Sequence, residues 1–298
     1  MIVAKDITVK LGRFAALKNL TCTIPSGCVY GLVGSNGAGK STFLRLLSDI
    51  YRPEQGSVEI DGMPLTDNPK AKENVFLVAD ELFFLPQSSM EQMARFYANL
   101  YPSFDKDRYA QLTQQFGLNP RANLNTFSKG MRRQAATILA LSIKPKYLFF
   151  DETFDGLDPV MRNLVKDVIR EDVEKRESTV IVASHSLREL EDLCDQLALL
   201  HRGGIIFESD AKNIETKLFK VQIAFSFPFD RSIFASLDIV NYKQVGSVAE
   251  LIVRGDREAV LSELKGKNPT LIDILSLTLE EVFIYEMEAL GYAFKDVL

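Results

Sequence analysis

Gly34, Ser35, Asn36, Gly37, Ala38, Gly39, Lys40, Ser41 and Thr42 follow one another in the spacing GxxxxGK[ST]. The glycines let a backbone curl until several N–H groups converge on one anion, and the lysine adds a fixed positive charge. The apolar run CVYGLV (28–33) precedes this segment, and STFLRLL with helical spacing follows it. Strand, glycine turn and helix in that order aim a helix N-terminus at the bound anion, a context that a plain Gly-rich turn lacks. Lys40 is therefore expected at the β- and γ-phosphates of a nucleotide, and Ser41 at Mg²⁺.

A second apolar run, Tyr147 to Phe150, ends in two adjacent carboxylates, Asp151 and Glu152. On its own, such a pair at a strand end is usually the start of a solvated loop. Downstream of a phosphate loop each acid gains a role. Asp151 would hold Mg²⁺ through water, and Glu152 would polarise an attacking water as general base. His185 directly follows a third apolar run, TVIVAS. A hydrogen-bonded strand-end histidine is the plain alternative. In a parallel sheet, though, its position places the ring at the C-terminal edge where ligands bind, to meet the γ-phosphate and orient the water.

The elements needed to position these groups are legible. Short runs at 28–33, 75–79, 147–150, 179–183 and 197–200 are too brief for helices and too uniformly apolar for half-exposed strands. Helical spacing lies between them at 40–49, 90–100, 129–143, 159–175 and 186–195, so a parallel sheet covered by helices is predicted. The first 60 residues alternate in polarity, as in DITVKL and SVEIDG, and predict an antiparallel edge region. After about residue 215 the pattern changes. We expect strands at FKVQIAFSF and on both sides of Gly246-Ser247, and helices at RSIFASL, at REAVLSELK and from Leu271 to Leu290. This divides the chain into a cassette, 1–215, and a small α+β C-terminal domain, 216–298.

The chain has 298 residues, 46% of them hydrophobic, enough for one large core and a satellite. A net charge of −5 argues against a nucleic-acid-binding surface. The three cysteines lack a CxxC pair, and two histidines are too few for a zinc site. No secretory signal and no run of membrane-spanning length is visible, so a soluble protein is expected, any membrane part being another chain.

Among phosphate-loop proteins, the segment Phe127 to Gln134 (FSKGMRRQ) discriminates. It resembles the LSGGQ signature of ATP-binding cassette (ABC) ATPases and lies just upstream of the carboxylate pair, as in that family. Phe154 to Pro159 (FDGLDP) resembles the family's D-loop, and Ser184-His185 its H-switch. The resemblance covers residues 1 to about 210. It implies a P-loop NTPase fold with a RecA-like parallel core, an antiparallel β subdomain and a helical signature subdomain. It also implies ATP and Mg²⁺ as ligands and a head-to-tail pair of cassettes, homodimeric or of two paralogues. Ser128 and Gly130 of one would face the phosphate loop of the other.

Several positions depart from the family pattern. Lys129 stands where glycine is usual, Met131 for glutamine, and Thr153 for proline. Leu11 aligns with the adenine-stacking aromatic, with Phe14 the nearest aromatic. Asp80 aligns with the glutamine that senses γ-phosphate and Mg²⁺, and Gln87 lies too far along. An acid there can still engage the metal.

The resemblance further implies a transporter motor, peripheral on the inner face of the cell membrane and held there by a transmembrane permease subunit. Leu82 to Leu85 are candidates for docking that subunit. Met93, Phe96, Tyr97 and Leu100 at helical spacing are expected to be core. The tail SLTLEEVFIYEMEALGY is similar to that of exporter-type cassettes, favouring export of a peptide, lipid or drug-like compound. A soluble, non-transport ABC ATPase is the alternative. Against it stand the single cassette and the absence of a coiled-coil insertion. A nucleotide kinase is disfavoured by the signature and D-loop.

Overall fold

The computed structural model describes residues 1–210, 218–275 and 277–289. These fall into two compact units, which part between residues 210 and 218, so the expected boundary at 215 lies outside the described residues.

The first unit opens with a hairpin, β1 (Ile2–Leu11) and β2 (Phe14–Ile24), then enters β3 (Val29–Val33), whose five residues are all buried. The turn 34–39 leads into α1 (Lys40–Leu47). β4 (Gln55–Ile60) and the two-residue β5 (Met63–Pro64) return to the hairpin, giving an antiparallel sheet in the order β2-β1-β4-β5. One turn of helix, α2 (Pro69–Lys72), precedes β6 (Val75–Val78). Next comes the helical layer: α3 (Met90–Leu100), α4 (Lys106–Phe116) and α5 (Lys129–Ile143), with α3 and α4 packed on α5. β7 (Tyr147–Asp151), α6 (Pro159–Arg176), β8 (Thr179–Ser184), α7 (Leu187–Leu190), β9 (Gln196–His201) and β10 (Gly204–Asp210) complete the unit.

The main sheet runs β10-β9-β3-β8-β7-β6 and is parallel throughout except for the β9–β10 hairpin. β3, β7 and β8 are buried along their whole length, which is why they read as unbroken apolar runs rather than alternating ones. β3 sits between β8 and β9, so the turn after it emerges at mid-sheet.

Two expectations for this unit are corrected. Helix at 186–195 shrinks to α7 alone. The N–H groups of Leu193 and Cys194 both turn back to the Leu190 carbonyl, and Asp195 is tied to Val29 of β3 at 2.8 and 2.9 Å. The sheet claims the end of the segment. In α3 the buried side chains are Met90, Met93 and Ala94, and Tyr97 packs edge-on to Phe76 with ring centroids 5.6 Å apart. Phe96 and Leu100 are exposed rather than core. The cysteines, all buried, have their thiol pKa values raised by desolvation, Cys28 to about 11, which leaves them unreactive near neutrality.

The second unit contains β11 (Leu218–Ala224), β12 (Asp238–Val245), β13 (Val248–Arg254), α8 (Arg257–Gly266), β14 (Leu271–Leu275) and α9 (Leu279–Ala289), with a 3₁₀ turn at Arg231–Phe234. Its antiparallel sheet, β12-β13-β11-β14, has its own apolar core, which includes Val221, Ile223, Phe234, Leu251 and Leu264. Residues 271–275, expected as helix, instead pair with β11 from Ala224↔Leu271 to Lys220↔Leu275. The helix starts only after Thr278, which Glu281 caps reciprocally: the Thr278 Oγ1 accepts from the Glu281 N–H and a Glu281 carboxylate oxygen from the Thr278 N–H. Leu290 lies outside the described residues. Among the described residues no helix is long and apolar enough to cross a membrane.

In the main sheet, Gly31 of β3 leaves no room for a side chain. A Cβ there would lie 2.4 Å from Leu197 Cδ2 and 2.8 Å from Cys194 Sγ. Gly31→Ala should lower the free energy of unfolding in urea by about 1–3 kcal/mol through overpacking. An unchanged midpoint would show that this face is looser than the contacts indicate.

Candidate functional site

β3 delivers the turn 34–39 to the C-terminal edge of the sheet, where three neighbours clamp it. Gly34 N–H donates to the Ser184 carbonyl of β8, and Gly203 N–H to the Ala38 carbonyl. Gly39, at φ 115°, lies so close to β2 that a Cβ would be 2.8 Å from the Ala16 carbonyl oxygen. Only glycine combines that backbone angle with that approach. Gly39 is also the N-cap of α1 and offers no side-chain acceptor, so the first-turn N–H groups remain available to an anion. Lys40, 5% exposed, turns its ammonium into the curl, donating to the Gly34 carbonyl at 2.6 Å and the Ser35 carbonyl at 3.3 Å. Ala38 and Thr42 are buried, while Asn36 and Gly37 form the exposed crest of the loop.

β7 and β8 bring the other predicted groups to the same edge. Asp151, the last residue of β7, is 2% exposed and lies beside the Ser41 side chain. Its Oδ1 finds no hydrogen-bond partner among the described residues. Burial, reinforced by the Glu152 and Asp80 charges, pushes its carboxyl above the usual range against the opposing influence of the Ser41 hydroxyl and the Lys40 charge. A buried carboxylate oxygen without a donor beside a serine hydroxyl suits a cation. Among the described residues no cluster of three or more His, Cys, Asp or Glu could hold a metal by itself, so a cation here would need further ligands from a bound anion or water.

Glu152 lies at the centre. Its Oε1 is 3.3 Å from the Lys40 ammonium and its Oε2 2.9 Å from His185 Nδ1. Its backbone is held left-handed at φ 50° by an N–H bond to the Ala183 carbonyl. A non-glycine residue forced into that region marks a position where side-chain placement outweighs local strain. The next residue, Thr153, is fully buried.

The signature residues sit elsewhere. Ser128 caps α5 by accepting from the Met131 N–H, and Gly130 packs against the Gly156 carbonyl, 2.6 Å from where a Cβ would be. Among the described residues no hydrogen bond or ion pair joins 128–130 to the loop 34–42.

Asp80 engages the guanidinium of Arg133, a residue of α5 that is 2% exposed and also donates to the Ala79 carbonyl. This partner escaped the sequence reading, although an arginine inside a helix whose other residues are largely buried demands an anion nearby. Likewise unforeseen is the ion pair between Lys129 and Asp155, 2.5 Å apart. At the tip of the β1–β2 hairpin Leu11 and Phe14 face each other in register, both exposed, Phe14 at 62%.

Residues 17–155 match the ABC transporter family. The chain is 26% identical to the ABC transporter ATP-binding protein YtrB of Bacillus subtilis, over 95% of this chain and 97% of that one. It is 30% identical to the linearmycin resistance ATP-binding protein LnrL of the same organism, over 69% and 68% of the two chains. The fold is shared with the ATP-binding cassette MJ0796, solved as a dimer in a post-hydrolysis state bound to ADP and Pi, at a TM-score of 0.65 and 21% identity over 72% of this chain and 100% of that one. With a phosphate loop, a signature helix and a carboxylate pair in this order, and with relatives of this kind along its length, the chain belongs to the ABC transporter ATP-binding proteins, the nucleotide-binding, ATP-hydrolysing subunits of that family.

Proposed function

We propose that this chain is the motor of an exporter, hydrolysing ATP at the loop 34–42 to drive a separate membrane permease. One observation carries the assignment of chemistry: the Glu152 carboxylate, suspended between Lys40 and His185 at the mouth of the phosphate loop. The N–H groups of the loop and of the first turn of α1 take the phosphates. Lys40 releases Glu152 as the terminal phosphate claims its ammonium. Glu152 then accepts the proton of the attacking water, while His185, in contact with the same carboxylate, fixes its orientation and reaches the γ-phosphate. Ser41 and Asp151 would hold Mg²⁺, which when bound neutralises charge on the phosphates. Asp80, as a further contact to that ion, would first have to leave Arg133.

Ser128, exposed as the N-cap of α5 with Gly130 in its first turn, supports a head-to-tail pair in which they bind a second cassette's γ-phosphate. Whether that second cassette is a copy or a paralogue is set by its own loop and signature. Phe14 supports an adenine platform at the hairpin tip, being two residues from Ala16, whose carbonyl abuts Gly39. For the permease, the exposed Phe83, Phe96 and Leu100 supply an apolar surface. Beside it is a cavity of about 170 Å³ lined in part by Phe76, Phe83, Phe84 and Tyr97. Docking there would hold the cassette on the inner membrane face. The resistance named for LnrL, together with the exporter-like tail, favours outward transport of a peptide, lipid or drug-like cargo.

Glu152→Gln should abolish steady-state phosphate release and yet allow Mg-ATP to convert the chain to a dimer, read by light scattering. Normal turnover would remove Glu152 as the base. Phe14→Ala should raise the KM for ATP by about tenfold with little change in kcat, the worth of one base stacked on an aromatic ring. If only Leu11→Ala does so, the platform is Leu11.

A further inference from the structure

Lys129 is the first residue of α5, directly between Ser128 and Gly130, and its ammonium is 2.5 Å from the Asp155 carboxylate. Both side chains are well exposed, 65% and 45%, so the pair contributes little to stability by itself. Its significance lies in what it joins. Asp155 belongs to the loop 152–158 and donates its N–H to the carbonyl of Glu152 at 3.2 Å. The loop packs closely on the start of α5: the Gly156 carbonyl abuts Gly130, and the Lys129 methylenes lie 3.3–3.4 Å from where a Cβ on Gly156 would be. The Lys129 head thus touches the loop that starts at Glu152.

We propose that Lys129 and Asp155 form a latch that reports occupancy of the signature face to Glu152 of the same chain. The inference deepens the two-cassette reading and rests on it. With no phosphate against Ser128 and Gly130, Asp155 occupies the ammonium and keeps the loop fastened to α5. The terminal phosphate of ATP, held by the loop of a second cassette, carries more negative charge than one carboxylate and outcompetes it for Lys129. The same phosphate repels Asp155. One event thus pulls the lysine away and pushes the aspartate off, and the tie on the Glu152 loop is undone. The Lys129 hydrogen bond is the chief cause holding the Asp155 carboxyl below its usual range. Arg133 and His185 also act on that carboxylate, and His185 is the group in contact with Glu152.

The test uses the full chain in the Glu152→Gln background, with the Mg-ATP concentration at half-maximal dimerisation read by light scattering. Asp155→Asn frees the lysine for phosphate and should lower that concentration about threefold. Lys129→Ala removes a phosphate ligand and should raise it about tenfold. The Lys129→Ala/Asp155→Asn double variant should match Lys129→Ala alone, since Asp155 acts only through the lysine. A pair that merely braces the fold would shift both single variants the same way. Shifts of like sign, or an Asp155→Asn effect that survives loss of Lys129, overturn the latch. Thermal melts of the four proteins check that each is folded, as expected for exposed positions. A Glu152→Gln parent that stays monomeric at saturating Mg-ATP instead overturns the two-cassette reading beneath it.

Discussion

A buried ammonium has to be satisfied, and in this protein that demand organises the site. Lys40 is almost wholly withdrawn from water, so its charge is met by the carbonyls of Gly34 and Ser35 and by the Glu152 carboxylate. Two backbone acceptors shape the loop around the cation, and the third partner ties it to β7. The loop can curl that tightly only because Gly39 sits against β2, where a side chain would strike the Ala16 carbonyl. An anion entering the loop meets a cation already aimed inward, with much of its reorganisation cost met by the fold.

The rest of the first unit serves to hold that arrangement still. β3 lies between β8 and β9, with β7 beyond β8, so the phosphate loop, the carboxylate pair and His185 all leave the sheet at its C-terminal edge. Fully buried strands fix the height of each exit to within a residue, because slipping the register by one would break a ladder packed on both faces. The β9–β10 hairpin and β2 close over the loop through Gly203, joining the antiparallel sheet to the site. At the end of β7 the left-handed backbone of Glu152 turns the chain directly after Asp151. The two carboxylates thus differ in surroundings, one buried beside Ser41 and the other held between the Lys40 ammonium and the His185 ring.

The signature side is built on different physics. α5 starts at Ser128 with a capped turn, and Lys129 and Gly130 are tied to the loop 152–158 through an ion pair and a glycine contact. The start of the signature helix and the carboxylate Glu152 are thereby connected over a few residues of one loop. The Asp80–Arg133 pair anchors the same helix layer to the segment that follows β6.

Much of this was legible in the residues themselves. Glycine spacing, a lysine and a helix start are local features, as are apolar runs ending in acids, so Gly34 to Thr42, Asp151, Glu152 and His185 could be placed at strand ends without coordinates. Ser128 as a helix cap is equally local. Pairings between distant segments were not legible. Arg133 with Asp80, Lys129 with Asp155, and Lys40 with Glu152 join positions 26 to 112 residues apart, and nothing in one partner's neighbourhood specifies the other. For the same reason residues 271–275 became a strand: their apolar spacing is compatible with either element, and the open edge of β11 decided it. Residues 191–195 left the helical pattern because Val29 offered Asp195 better hydrogen bonds than another turn would. Sequence alone determined which groups could do chemistry, since side-chain type and local backbone preference are written residue by residue. Tertiary structure decided which of them meet, since contact depends on how strands stack into one sheet.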